Sequence, residues 1–163
     1  MGRRPVSART RIRLSGTVIA WLYAHTHVLL YRWSGGRLGA RIRGEPDAGD
    51  PPVLLLTTRG RRSGKWRTTP LLYLEAGDDL VVMAANAGNR RHPAWWTNLV
   101  AEPRATVQIG TQRRAVVASE IDGPARQEAW RRYARMYAAV DIYQCATSRR
   151  IPLIVLRRLS SDD

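Results

Sequence analysis

The chain has 163 residues, 27 of them Lys or Arg and 13 Asp or Glu, for a formal charge of +14 with neutral histidines. That length suits one domain with a sizeable core, and 44% hydrophobic against 25% charged residues sets it among globular rather than disordered chains. A single cysteine, Cys145, excludes an internal disulfide and a cysteine-built zinc site, and three histidines (His25, His27, His92) argue against a histidine-rich metal centre.

The charge favours polyanionic partners: nucleic acid, acidic lipid, or a phosphorylated or carboxylated small molecule. It also has a coding component, because Lys65 is the sole lysine and phenylalanine is absent, the pattern of a GC-rich genome.

Residues 1–13 carry Arg3, Arg4, Arg9, Arg11 and Arg13 with no acid and read as a solvated basic arm. From Leu14 to Trp33 the spacing of Val18, Leu22, Leu29 and Trp33, widened by Ile19 and Leu30, predicts an amphipathic helix. His25-Thr26-His27 interrupts it too strongly for a membrane span. An export signal competes, but no A-x-A-like cleavage site follows and Arg3-Arg4 lacks the apolar pair of a twin-arginine signal. The basic arm beside an apolar helix has the composition of an interfacial membrane anchor; packing on the barrel or across a homodimer is the other reading of the stripe. Ser34-Gly35-Gly36 ends the helix, and residues 44–52 form a connector rich in Gly and Pro.

Strands follow: Val53–Thr58, Trp66–Leu74, Leu80–Ala85, Ala105–Ile109, Arg114–Ile121 and Ile151–Leu156. Gly77-Asp78-Asp79 is a hairpin signal, Pro93 opens a short helix through Leu99, and Pro124 opens another to about Ala139. Six short strands without a strand–helix alternation predict an α+β fold: a small antiparallel split β-barrel with an N-terminal helix and flanking helices. The organisation is then arm 1–13, helix and Gly-rich turn 14–39, barrel 40–158 and tail 159–163.

Between Arg59 and Arg67 five of nine residues are basic, none is acidic, and Gly60 and Gly64 frame the turn. Arg62 and Arg67 can fork onto phosphate or carboxylate, Ser63 adds a hydroxyl and Lys65 a point charge. This is an anion cradle, or a merely solvated basic hairpin. It is not a Walker loop, since Gly60 and Gly64 are too close and Trp66 stands where Ser or Thr belongs.

A second stretch runs from Ala84 to Leu99. Ala84, Ala85 and Asn86 leave room for a flat ring. The loop through Gly88 then enters a helix N-terminus, whose free N–H groups favour anions. Trp95 either borders that ring or plugs the barrel end. Trp130, Tyr133 and Tyr137 share one helix face, so Tyr137 is either a core residue or a proton donor.

Together these pieces resemble the deazaflavin (F420)-dependent nitroreductase family of split-barrel oxidoreductases. The matching pieces are Leu55-Leu56-Thr57-Thr58, Gly60-Arg61 and Ser63-Gly64, then Arg67-Thr68-Thr69-Pro70-Leu71, then His92-Pro93, Trp95, Asn98-Leu99 and Pro103. Their order and spacing cover residues 50–158. The resemblance implies coenzyme F420 (8-hydroxy-5-deazaflavin) bound by Arg62, Ser63, Lys65 and Arg67 through its anionic groups. It also implies that Pro70, Leu71, Ala84, Ala85, Asn86 and Trp95 line the ring, and that Tyr137 and Tyr143 serve the substrate side as catalytic candidates. Ala87 stands where the family often has a cofactor-holding lysine; Val140 and Leu72 stand where nitro-activating members carry tyrosines. The implied activity is hydride transfer to a small hydrophobic acceptor such as a quinone, an unsaturated carbonyl or a nitro compound. The expected place is the cytoplasm, with the basic arm and helix of residues 1–33 as the candidate contact at the inner face of the membrane. The competing readings are FMN or a tetrapyrrole in the same barrel, and a basic nucleic-acid module. The last lacks any helix–turn–helix, finger or RRM-like aromatic pair, so no specific nucleic acid is expected.

Overall fold

The computed structural model describes residues 26, 28–37, 39–41 and 50–159. The basic arm, most of the N-terminal amphipathic helix, much of the connector and the tail lie outside them.

Six strands form a closed antiparallel barrel in the order β1-β2-β3-β6-β5-β4: β1 Val53–Arg59, β2 Trp66–Ala76, β3 Asp79–Met83, β4 Arg104–Ile109, β5 Gln112–Glu120 and β6 Leu153–Arg158. Closure leaves no sheet edge to aggregate. Register is set by the pairs Thr57 with Thr68, Leu56 with Val107, and Val82 with Ile154.

Alternation sorts the side chains into two cores. Leu54, Leu56, Tyr73, Val82, Val107, Val116 and Ile154 fill the barrel interior. Leu74, Val81 and Leu153 face outward, where helix α2 (Gly123–Met136) covers them with Ala129 and Tyr133. The buried Tyr133 hydroxyl donates to the Val81 carbonyl at 2.7 Å, with Leu72 O at 3.1 Å, and burial raises its pKa. In the tyrosine stripe, Tyr133 is therefore a core residue.

Helix α1 (Ala94–Ala101) plugs one barrel end with Trp95 and Leu99. Residues 28–33 are helical, as the periodicity predicts. Tyr31 fastens this helix: its hydroxyl donates to Val53 O at 3.1 Å and accepts the Gly110 N–H at 2.9 Å.

Two expectations need correction. The helix after Pro124 ends at Met136, not Ala139. Tyr137 turns extended as its C-cap, and a separate helix, α3, spans Ala139–Cys145. No side chain caps the start of α3, so its seven residues carry no start signal. The third strand ends at Met83, which puts Ala84 and Ala85 in the loop beyond it.

Candidate functional site

The β1–β2 turn folds on itself before any ligand enters. The Gly60 N–H donates to Lys65 O at 2.9 Å and the Gly64 N–H to Gly60 O at 2.7 Å. A Cβ on Gly60 would lie 2.7 Å from Ser63 Oγ and 3.1 Å from Lys65 O, and Gly64 takes a φ of +67°, so both glycines suit the tight turn. Asn98 of α1 ties this turn to the helix. Its side-chain oxygen accepts the Arg61 N–H at 3.1 Å and its amide donates to Thr58 Oγ1 at 3.1 Å. Between turn and helix lies a cavity of about 310 Å³ lined by Gly60, Arg61, Arg62, Ser63, Arg67, Ala94, Thr97 and Asn98.

Arg62, Ser63 and Arg67 thus meet at one cavity, beside the first turn of α1, whose start no side chain caps. Lys65 sits in the same turn but does not line the cavity. Cationic forks, a hydroxyl and a helix N-terminus suit phosphate or carboxylate oxygens. The donor set therefore fits the anionic part of a deazaflavin cofactor.

The ring candidates divide. Leu71, Ala84 and Trp95 pack in the barrel-interior cluster, where Ala84 is fully buried and Trp95 is 6% exposed. Pro70, next to Leu71 on β2, points to the opposite face and pairs with Leu55. Ala85 is half-buried and Asn86 is exposed.

The loop that carries Ala85 and Asn86 is strained, with φ of +50° at Asn86 and +49° at Ala87, both outside the region favoured by side-chain-bearing residues. Two contacts hold it. Gly88 abuts α3 so closely that a Cβ would meet Ala146 Cβ at 2.8 Å and Tyr143 O at 2.9 Å. From the other side, Arg149 spreads its guanidinium over the loop. It donates to Ala85 O at 2.5 Å, Ala84 O at 3.2 Å and Asn89 O at 2.8 Å, with His92 Nδ1 at 3.3 Å. Burial, then the Arg149 charge, lowers the His92 pKa. Sequence reasoning missed Arg149, whose partners are mostly backbone carbonyls about sixty residues away and leave no motif.

Tyr137 and Tyr143 do come together. Their hydroxyls are 3.3 Å apart and their rings 6.2 Å. The Tyr137 hydrogen bond, and then burial, push the Tyr143 pKa up to about 12. Through Gly88, the Tyr143 backbone touches the loop that bears Ala85 and Asn86.

Residues 23–158 match the sequence profile of a family described as F420H(2)-dependent quinone reductase. The chain belongs to that family. An F420H(2)-dependent quinone reductase of Mycobacterium tuberculosis is 35% identical over 153 residues, covering 85% of this chain and 96% of the relative. The solved structure of an F420-H2 dependent reductase, FDR-A, superposes with a TM-score of 0.60 at 33% identity, over 65% of this chain and 94% of that one. A second solved structure, described as a domain-swapped dimer, gives 0.61 at 28% identity over 85% of this chain and 98% of its own. The family and the split-barrel fold agree with the resemblance read from the motifs.

Proposed function

We propose that this family member is an F420-dependent oxidoreductase that passes hydride from the reduced deazaflavin to a hydrophobic acceptor of quinone type. The observation that carries the reading is the β1–β2 cradle, in which Arg62, Ser63 and Arg67 converge on one cavity against α1. When bound, the deazaflavin supplies the hydride and the two-electron character of the reaction. Arg62 and Arg67 hold its anionic oxygens, and Lys65 adds positive potential. Leu71, Ala84 and Trp95 form the dry floor of the ring site and Ala85 and Asn86 its rim, while Pro70, on the opposite face of β2, lies outside it. The Tyr137–Tyr143 pair holds a proton near neutral pH for the acceptor's oxygen.

Fluorescence-quenching titration of the purified protein with F420 tests the cradle. Charge-assisted hydrogen bonds contribute about 1.5–3 kcal/mol each, so losing two in Arg62→Ala/Arg67→Ala weakens binding by roughly 100-fold or more, and added salt weakens the wild type. Unchanged affinity in the double variant overturns the cradle reading. Tighter binding of FMN than of F420 replaces the cofactor assignment.

The same helix that anchors Tyr31 turns Leu29 and Trp33 outward at 67% and 84% exposure, with Leu30 beside them. This favours a second reading, peripheral contact with an anionic bilayer at the cytoplasmic face, where a lipid-dissolved quinone is met. Among the described residues no helix is long and apolar enough to cross a membrane. The relative described as a domain-swapped dimer supports a homodimer for this chain as well.

A further inference from the structure

The barrel is closed at the cradle end by Trp95 and Leu99 of α1. At the other end, past the eleven residues of β2, no helix among the described residues fills it. A cavity of about 760 Å³ opens there, walled by Leu80, Val107 and Ile109. The inward row that fills the core with Val116 and Leu156 continues two residues toward this mouth as Arg114 and Arg158. Arg114, half-buried, and Arg158, exposed, thus stand on the inward row at the rim of a mouth with an apolar floor. Barrel mouths of this size are common small-molecule sites.

Tyr73 sets the chemistry. It is 6% exposed and lines the cavity, yet among the described residues its hydroxyl makes no hydrogen bond. The fully buried tyrosines, Tyr31 and Tyr133, both spend their hydroxyls on backbone groups. The Tyr73 hydroxyl is not itself enclosed, so solvent, or a ligand oxygen in the cavity, can reach it and accept its hydrogen bond. Burial, and then the Glu75 carboxylate, raise the Tyr73 pKa, so the hydroxyl remains a donor. Glu75 and Asp78 also line the cavity, against Arg113, Arg114 and Arg158. Arg113 is engaged with Gln108 Oε1 at 3.0 Å, which leaves Arg114 and Arg158 for an incoming anion. Three arginines against two acids suit one negative charge.

We propose that this mouth is a second ligand site, separate from the cradle, for a small amphipathic monoanion: an apolar body with one carboxylate or sulfonate. The body lies on Leu80, Val107 and Ile109, and the head accepts from Tyr73 Oη and the guanidiniums of Arg114 and Arg158. The site stands whether or not the cofactor assignment does.

The test uses the full chain, the fluorescent sulfonate 8-anilinonaphthalene-1-sulfonate, and decanoate as the competing carboxylate. The wild type enhances the dye's fluorescence saturably and decanoate displaces it. Tyr73→Phe, which keeps the ring, weakens dye binding about 5-fold or more, and Arg114→Gln/Arg158→Gln about 10-fold or more, while Arg62→Ala/Arg67→Ala leaves it unchanged. Wild-type affinity in Tyr73→Phe with unaltered circular dichroism overturns the proposal, and so does failure of decanoate to compete. Loss of dye binding in the cradle variant assigns the dye to the cradle and overturns it too. Should the arginine variant misfold, Tyr73→Phe alone decides.

Discussion

Asn98 accepts the N–H of Arg61 and donates to the hydroxyl of Thr58, each at 3.1 Å, so one buried amide joins α1 to both the cradle turn and the strand that leads into it. Thr58 is itself buried. Asn98→Ala strands a buried hydroxyl and a backbone donor, at about 1–3 kcal/mol each. At roughly 2–4 °C per kcal/mol for a chain of this size, thermal unfolding falls by several degrees. F420 affinity falls as well, because the amides of the cradle are no longer fixed. A variant that melts and binds as the wild type would show that the turn holds its shape without the helix.

Arg149 acts through the backbone of residues 84–89 and is a positioning residue. Arg149→Ala frees three carbonyls of a strained loop and lowers kcat/KM for the quinone reaction by roughly 10-fold or more, since hydrogen bonds to a charged donor contribute about 1.5–3 kcal/mol each. Arg149→Lys restores charge but not the fork and recovers only part of the loss. His92 supplies a readout that general loosening does not mimic. Its pKa is lowered first by burial and next by Arg149. The folded state therefore disfavours charged His92, and that contribution to stability is lost as pH falls below the ordinary imidazole value. In Arg149→Ala the His92 titration, followed by proton NMR, moves up toward 6.5. No movement would separate Arg149 from the loop.

For the tyrosine pair, the shared hydrogen bond is the main reason that Tyr143 titrates high, at about 12. Spectrophotometric titration of the phenolates shows Tyr143 among the late-ionising groups, with Tyr133 and Tyr73, whose values burial also raises; the late group that responds to Tyr137 is Tyr143. In Tyr137→Phe that group returns toward 10. The raised value means that the pair's contribution to stability is full below about pH 10 and is lost as pH rises through about 12. If the pair donates the proton to the acceptor, Tyr143→Phe lowers kcat by roughly 100-fold with little change in F420 affinity. An unchanged kcat would leave that proton to water.

The barrel was legible because its strands are short apolar runs bounded by Gly and Asp turns, and because Pro93 and Pro124 announce their helices. The cavity at the β1–β2 turn was legible in part for a similar reason: Arg62, Ser63 and Arg67, which line it, are local, in a basic turn framed by two glycines, although Lys65 of the same nine residues does not line it. What escaped was non-local or weakly marked. Arg149 reaches residues 84–89 across the fold, which no spacing encodes. Helix α3 begins at Ala139 with no capping side chain, so its sequence reads as a continuation of the helix before it. The inward row at the barrel mouth was hidden as well, since Arg114 and Arg158 look like ordinary surface arginines until register and closure turn them inward. Alternation along β2 could have separated Pro70 from Leu71, because neighbours on a strand face opposite sides.

The membrane reading rests on residues 28–33. Leu29 and Trp33 lie one helical turn apart and both point away from the barrel, at 67% and 84% exposure. Arg32 faces inward to the strands instead, donating to Thr68 Oγ1 at 3.0 Å. Removing the helix is a poor test, because Tyr31 within it bonds both Val53 and Gly110, and its loss would disturb the barrel. Point changes are cleaner. The full chain co-sediments with phosphatidylglycerol vesicles and not with phosphatidylcholine vesicles, and added salt releases it, since each basic residue near an anionic leaflet contributes about 1 kcal/mol. Leu29→Ser/Trp33→Ser weakens sedimentation about 10-fold, because two exposed side chains no longer enter the interface, while the barrel keeps its melting temperature. Equal sedimentation of variant and wild type would leave charge alone as the attraction. A variant that binds vesicles normally but changes from dimer to monomer on size exclusion would assign these two residues to a second copy of the chain.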